Sequence, residues 1–340
     1  MQKRQPVNRI VVPVTETESA IPTPQLPALF QGWIRDGKGR GSSPRTLEER
    51  ELLFGKLLWF LQDRNFAFCG EAAVEEFLAY LDDGHTDPRG RWGNPKCRKP
   101  IRPATRLAYF RVLRAFFRFL ERRRRIVGSP MATMDPPPFK QDQIVPFSEE
   151  QVTALLAAAH TSLTPRRDLA ILLFLLDTGV RVSELAGMTV GSVDLDGFNA
   201  RVLGKGNVAR TVSFGRKVGK ALDELLAEEE KEPEEPLFVA QRGTQPGEAL
   251  TRNGILQVVG RLGRVAGVSG VRCSPHTFRH TFAINFLRNG GDVFTLREML
   301  GHTSLAITQR YLLLAQADVA TKHRAHSPAD RMGKRVGKRK

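Results

Sequence analysis

Apolar positions recur at helical spacing in long blocks along this chain and alternate in only one short stretch. From Ser43, the run SPRTLEERELLFGKLLWFLQDR has a capping serine, proline at the first helical position, early acids and apolar residues three and four apart, and predicts a helix. GEAAVEEFLAYLDD predicts a second. RPATRLAYFRVLRAFFRFLERRRR predicts a third, with Leu107, Phe110, Leu113, Phe117 and Leu120 as its apolar stripe. Between the last two, DDGHTDPRGRWGNPKCRKPI is rich in glycine, proline and arginine and reads as a long loop, a candidate DNA contact. SEEQVTALLAAAH opens on a capping box of Ser148 and Gln151. RRDLAILLFLLDTGV is apolar almost all round and predicts a buried central helix ending at Gly179. NARVLGKGNVARTVSF alternates on both sides of Gly204-Lys205-Gly206-Asn207, the pattern of a β-hairpin with a glycine-rich turn. DELLAEEEKEPEEP predicts an outward helix and loop, and four more helices are expected in LTRNGILQVVGRLGRVAG, HTFRHTFAINFLRNG, DVFTLREMLG and SLAITQRYLLLA. The expected fold class is mainly α with a small antiparallel β-sheet.

At 340 residues the chain is long enough for two domains, and Pro136, Pro137, Pro138 and Pro146 cannot lie inside a helix, so residues 136–146 read as a stiff linker. The divisions expected are a loose arm over 1–22, a helical domain over 23–135, a second domain over 147–321 and a basic tail over 322–340. A net charge of +16, from 52 Lys and Arg against 36 Asp and Glu, points to a polyanionic partner. The charge is uneven: +10 over residues 1–140, −1 over 141–321 and +7 over 322–340. On the third helix Arg106, Arg114, Arg118 and Arg122 share a face without compensating acids until Glu121, which suits contact with nucleic-acid phosphates better than a merely solvated face. An anionic membrane is a poorer fit, because no apolar run approaches the roughly 18 residues of a spanning helix. The N-terminus also lacks a signal-peptide pattern, and the expectation is a cytoplasmic, nucleoid-associated protein. Cys69, Cys97 and Cys273 share no metal-ligand spacing and read as idle thiols.

Several kinds of chemistry are disfavoured. The turn at Gly204 lacks the glycine spacing and following Ser/Thr of a phosphate-binding loop. His276 and His280 have the separation of a helical zinc pair, but Arg279 stands between them and no carboxylate base does. No cluster of acids suits a two-metal nuclease. No metal and no cofactor are expected.

What remains is an ordered set: Thr178-Gly179-Val180-Arg181-Val182-Ser183-Glu184-Leu185, Lys205 in the hairpin turn, His276-Thr277-Phe278-Arg279-His280, Leu300-Gly301-His302, and Tyr311. In this order and context it resembles the tyrosine recombinase (integrase) family over nearly the whole chain. The resemblance implies a helical core-binding domain and an α+β catalytic domain that clamp DNA between them. Tyr311 would attack a phosphodiester, leaving a 3′-phosphotyrosyl link and a free 5′-hydroxyl that later reseals the backbone, without ATP. Arg181 and Arg279 would hold the non-bridging oxygens of the five-coordinate phosphate with paired donors. His302 would add a hydrogen bond, His276 would assist proton transfer near Tyr311, Lys205 would protonate the leaving 5′-oxygen, and Glu184 would support the site. An unperturbed phenol, with a pKa of about 10, needs such help at neutral pH.

The implied partners are double-stranded DNA carrying specific recombination sites and further copies of the chain, assembled as a tetramer that exchanges C-terminal segments. With no separate arm-binding domain before residue 23, the chain looks nearer to chromosome-dimer-resolving recombinases or transposon integrases than to the larger phage enzymes. Two rival readings share the fold: a type IB topoisomerase-like nicking and closing enzyme, and a catalytically idle DNA-binding protein.

Overall fold

The computed structural model describes residues 19–84, 88–139, 143–204, 208–227, 231–241, 246–302 and 304–315, with Ser327 and Ala329. It divides into two compact units between residues 142 and 143, within the proline-rich stretch 136–146.

The first unit opens on strand β1 (Ile21–Pro22) and holds helices α1 (Leu26–Gly39) and α2 (Pro44–Asp63), strand β2 (Phe68–Cys69), α3 (Glu71–Asp82) and α4 (Pro103–Arg122). α2 begins as its sequence predicts, with Pro44 in the first turn and the Ser43 hydroxyl accepting from Thr46 N at 3.2 Å. The apolar stripe of α4 is wholly buried and wider than expected, since Tyr109, Phe116 and Phe119 are buried as well. Its rings join an aromatic core in which Phe30 stacks on Phe54 at 3.9 Å and Phe54 meets Phe116 edge-on at 4.9 Å.

Two features depart from the sequence reading. The arm assigned to 1–22 ends in ordered structure: Ile21 is 3% exposed in the core and pairs antiparallel with Cys69. α1 itself gives a weak signal, because Pro27 and three glycines interrupt its pattern. Pro27 occupies a first-turn position that needs no backbone donor, and Gly37 lies where α2 comes close, with Leu47 Cδ2 only 2.9 Å from where a Cβ would stand. The long loop before α4 is likewise pinned among its described residues. Buried Arg91 donates to the carbonyls of Asp83 and Lys99, and Trp92 packs on Trp59, Phe77 and Tyr80. Most of its other described residues, Lys96, Arg98 and Lys99 among them, are exposed.

The second unit contains α5 (Glu149–His160), α6 (Pro165–Thr178), α7 (Val182–Ala186), strands β3 (Val193–Asp194), β4 (Asn199–Leu203) and β5 (Ala209–Ser213), α8 (Arg216–Leu226), α9 (Arg252–Val265), α10 (Pro275–Arg288), α11 (Val293–Leu300) and α12 (Leu305–Ala315). The capping box is formed, with Gln151 N donating to Ser148 Oγ and Ser148 N to Gln151 Oε1. The sheet runs β3-β4-β5, and the β4–β5 hairpin pairs Asn199 with Ser213 through Leu203 with Ala209. α6 contributes Ala170, Ile171, Leu172, Phe174 and Leu175 to the main core, all 0% exposed, and a smaller cluster joins α10, α11 and α12. Cys69 is buried, and burial pushes its thiol up to about 12, so at neutral pH it stays protonated and inert. Among the described residues, no helix is long and apolar enough to cross a membrane.

α6 stops at Gly179, whose φ of 59° turns the chain into Arg181. A Cβ at this position would overlap the Phe282 ring. Gly179→Ala is expected to lose at least the roughly 1–2 kcal/mol of a left-handed L-residue, read as a lower urea midpoint for the second unit.

Candidate active site

Four backbone events bring the distant motif residues together. The turn at Gly179 delivers Arg181 to the N-cap of α7, placing Glu184 in that helix's first turn. Arg279 and His280 lie on α10, whose start is fixed by Pro275 and by the Ser274 hydroxyl accepting from Thr277 N at 3.3 Å. α11 ends at Gly301, φ 61°, which releases His302 from the helix, and α12 then carries Tyr311.

Around the C-terminal end of α11 three guanidinium groups converge. Arg210 Nη1 donates to Met299 O at 2.8 Å, Arg279 Nη2 to Leu300 O at 2.7 Å, and Arg181 Nη2 to Gly301 O at 2.9 Å. These are carbonyls that a helix end leaves without intrahelical partners, and they carry the negative end of its dipole. Arg279 also donates to Gly179 O at 2.7 Å. A single carboxylate ties two of the arginines: Glu184 Oε1 accepts from Arg181 Nη1 at 2.8 Å, and Oε2 from Arg210 Nη2 at 2.7 Å. Oε2 accepts from the Arg181 backbone as well, and the Glu184 side chain is 1% exposed. Burial, and next the Arg181 charge, bring Arg279 down to about 10, so it remains a cation at neutral pH.

His302 bridges this cluster to α12. A guanidinium can only donate, so His302 Nε2 accepts from Arg279 Nη2 at 2.9 Å, leaving Nδ1 to face Thr308 Oγ1 at 3.0 Å. The His302 ring stacks on Tyr311 with centroids 6.4 Å apart. Tyr311 is 4% exposed, and its hydroxyl lies 2.8 Å from His280 Nδ1. Burial raises the Tyr311 phenol above its ordinary value, against the pull of Arg279 and Arg310. Burial and neighbouring cations bring both His280 and His302 down to about 4, so both rings are neutral at physiological pH.

The site thus gathers Arg181, Glu184, Arg279, His302 and Tyr311, five of the seven residues singled out by sequence. His276 lies beside this group on α10, its ring edge-on to His280 at 4.3 Å, because four residues of helix place the two imidazoles on one face. Lys205 lies outside the described residues. The mouth of its hairpin borders the site, since a Cβ on Gly204 would lie 3.5 Å from Glu184 Oε1. Sequence reasoning missed Arg210, although a charged side chain two residues before buried Val212 on an alternating strand faces inward and is a readable signal. It also set His280 aside with the rejected zinc pair. Among the described residues, no three of His, Cys, Asp and Glu gather as metal donors.

In the first unit Arg106 is committed to Asp82, 2.6 Å away, because α3 brings an acid to the row that looked uncompensated in sequence. Arg114, Arg118 and Arg122 instead line an open groove of about 740 Å³ with Arg111, which the sequence reading had not singled out.

Residues 146–317 match the family model described as the phage integrase family. The tyrosine recombinase XerD of Pseudomonas putida is 33% identical over 233 residues, covering 67% of this chain and 76% of that protein. Among solved structures, the XerH site-specific recombinase bound to palindromic difH substrate superposes with a TM-score of 0.63 at 19% identity, covering 91% of this chain and 85% of that one. A lambda integrase dimer bound to a COC′ core site gives 0.65 at 16% identity, covering 87% and 78%. At such identities the structural likeness is one of fold.

The site's charges set two expectations for stability. Glu184→Gln leaves Arg181 and Arg210 without their shared anion and should destabilise the second unit by about 3 kcal/mol, the usual scale for breaking a buried pair, measured by urea unfolding. His280 and His302 sit near 4 in the folded chain against about 6.5 when unfolded, so the unfolded chain binds more protons in that window. Their contribution is complete above about pH 6.5 and is lost as pH falls toward 4, by roughly 1–3 kcal/mol each, and His302→Gln should flatten that slope.

Proposed function

The chain belongs to the phage integrase family, the tyrosine-type site-specific DNA recombinases, and from that premise we propose that Tyr311 cuts and rejoins double-stranded DNA through a 3′-phosphotyrosyl intermediate. The observation that carries this reading is the meeting of Arg181, Arg279, His302 and Tyr311 around one helix end. A phosphodiester entering there acquires a second negative charge as phosphorus becomes five-coordinate. Three guanidiniums against one carboxylate leave the cluster two positive charges in excess, matching that developing dianion. Arg181 and Arg279 take the non-bridging oxygens, while Arg210 acts through Glu184 to hold Arg181 in place. His302 Nε2 is without a hydrogen in the present arrangement, so its role as donor to phosphate needs a proton taken up along with the anion. Lys205 is the proposed acid for the 5′-oxygen, and His276 is kept as a secondary proton-handling group at one ring's remove from the tyrosine.

The domain assignment follows from the same reading. Residues 23–135 form the core-binding domain, with Arg111, Arg114, Arg118 and Arg122 along the phosphates, and residues 147–321 carry the chemistry. Arg106 has less to offer because Asp82 already takes its charge. The basic tail over 322–340 supplies further DNA affinity. Double-stranded DNA with specific sites is the substrate, acted on in the cytoplasm by a tetramer, for integration, excision, transposition or replicon resolution of a mobile element. No metal or cofactor enters the scheme. Exchange through an assembled tetramer is preferred to single-duplex nicking and closing because the relative XerD, 76% of which is covered here, is a recombinase.

Two experiments test this function. With nicked duplexes that the protein selects from a random-sequence pool, in excess EDTA, a covalent protein–DNA adduct should appear on a denaturing gel and vanish in Tyr311→Phe. An adduct that persists in that variant, or that needs added metal, contradicts the proposal. Replacing Arg114, Arg118 and Arg122 together by alanine should weaken binding across sequences and reduce the slope of log affinity against log salt by about 1 per arginine.

A further inference from the structure

His280 is the polar neighbour of the tyrosine hydroxyl, yet it stands outside the residues that the family resemblance assigns. It follows Arg279 directly on α10, its Nδ1 is 2.8 Å from Tyr311 Oη, and its ring centroid lies 5.6 Å from the Tyr311 ring. His276, to which the resemblance gives the proton-handling role, meets the His280 ring edge-on at 4.3 Å. Resting on the recombinase reading above, we propose that His280 is a catalytic residue, the base that takes the phenolic proton of Tyr311 as the tyrosine attacks phosphorus.

The step balances. As the Oη–P bond forms, the Tyr311 proton passes to His280 Nδ1. The P–O5′ bond breaks with its electron pair going to the 5′-oxygen, which takes a proton from the acid assigned to Lys205. On resealing, the incoming 5′-hydroxyl returns a proton to that acid, the Oη–P bond breaks, and the tyrosine oxygen recovers its hydrogen from the His280 imidazolium. The assignment fixes the resting tautomer: Nε2 carries the hydrogen of the neutral ring, and Nδ1 accepts from the phenol. The surroundings suit an acceptor that is empty at rest. His276 and Arg279 on the same helix and Arg310 on α12 all disfavour a cation at His280, as burial does first. The neutral His302 ring lies nearly parallel to the tyrosine ring at 6.4 Å. When the phosphate arrives, its negative charge partly cancels those cations and makes proton uptake easier at the moment it is needed.

The test compares wild type, His280→Ala, His280→Gln, His276→Ala and Tyr311→Phe in adduct formation on self-selected nicked duplexes. His280→Ala should form the adduct about 10²–10³ times more slowly. Its rate should rise nearly tenfold per pH unit as hydroxide replaces the missing base, whereas wild type and His276→Ala stay flat between about pH 6 and 8.5. His280→Gln keeps a hydrogen-bond acceptor that takes up no proton, so it should share the slope while folding as wild type. The deficit should persist on duplexes with a 5′-bridging sulfur, whose leaving group needs no acid, and added imidazole should partly restore His280→Ala. A readout independent of activity comes from ζ-¹³C-tyrosine NMR: of the chain's three tyrosines, only the resonance lost in Tyr311→Phe should move in His280→Gln. If Tyr311→Phe still forms the adduct, the recombinase reading falls and this assignment with it. If Tyr311→Phe is inactive while both His280 variants keep the wild-type rate and flat profile, or the slope appears in His276→Ala instead, the role of His280 alone is overturned.

Discussion

Three guanidinium groups held within one cluster repel each other, and the second unit is organised around offsetting that repulsion before any ligand is present. The compensation comes from two sources of fixed negative charge: the Glu184 carboxylate, and the successive carbonyls of Met299, Leu300 and Gly301 at the end of α11. Each arginine takes one of these three carbonyls, Arg279 takes Gly179 O as well, and two share the carboxylate. The positions of α7, α10, α11 and the β5 strand are thereby coupled, since moving any of them strands a buried cation. The backbone turns at Gly179 and Gly301, both in the left-handed region, serve the same arrangement by exposing the carbonyls that the arginines use. What results is a receptor for a tetrahedral or five-coordinate anion whose donors are already oriented, so little reorganisation remains for the moment of reaction.

The tyrosine is placed by a second, uncharged set of contacts. Thr308 and Arg279 fix His302, His302 stacks on Tyr311, and His280 takes the hydroxyl. Neutral imidazoles are the groups that can sit between a cluster of cations and a buried phenol without adding to the repulsion, and the downward shift of both histidines follows from that placement. Charge is thus partitioned across the chain. The segment of residues 141–321 is near neutral overall yet brings three of its cations to one point, while the surplus of +10 over residues 1–140 includes the arginines of the α4 groove.

Much of this was legible in the sequence, for reasons that differ by element. α2 and α10 carry a capping serine followed by a first-turn proline, and α5 a capping box, all of them local signals. The stripe on α4 is readable because burial on one face imposes a helical period. α1 was hidden because Pro27, which suits helix initiation, and three glycines, of which Gly37 serves close packing, suppress the apolar pattern. In the site, Arg181, Glu184, Arg279, His302 and Tyr311 could be picked out because their order and context form a motif. The inward-facing strand position of Arg210 was readable, but its role and that of His280 were not, since their importance lies in partners 89 and 31 residues away along the chain. The arginine row on α4 shows the converse: a face that looks uncompensated in one helix meets its acid, Asp82, from another.

The central claim, that the anion receptor is assembled before DNA arrives, is tested most directly by a crystal structure of the trapped covalent complex on a self-selected duplex. The account predicts a phosphate on Tyr311 Oη, with Arg181 and Arg279 bound to its non-bridging oxygens, while Glu184 still bridges Arg181 and Arg210 and the α11 carbonyls keep their donors. A phosphate on Tyr80 or Tyr109, or a site in which the Glu184 bridge is broken and the guanidiniums have moved by several ångströms to reach the DNA, would contradict it.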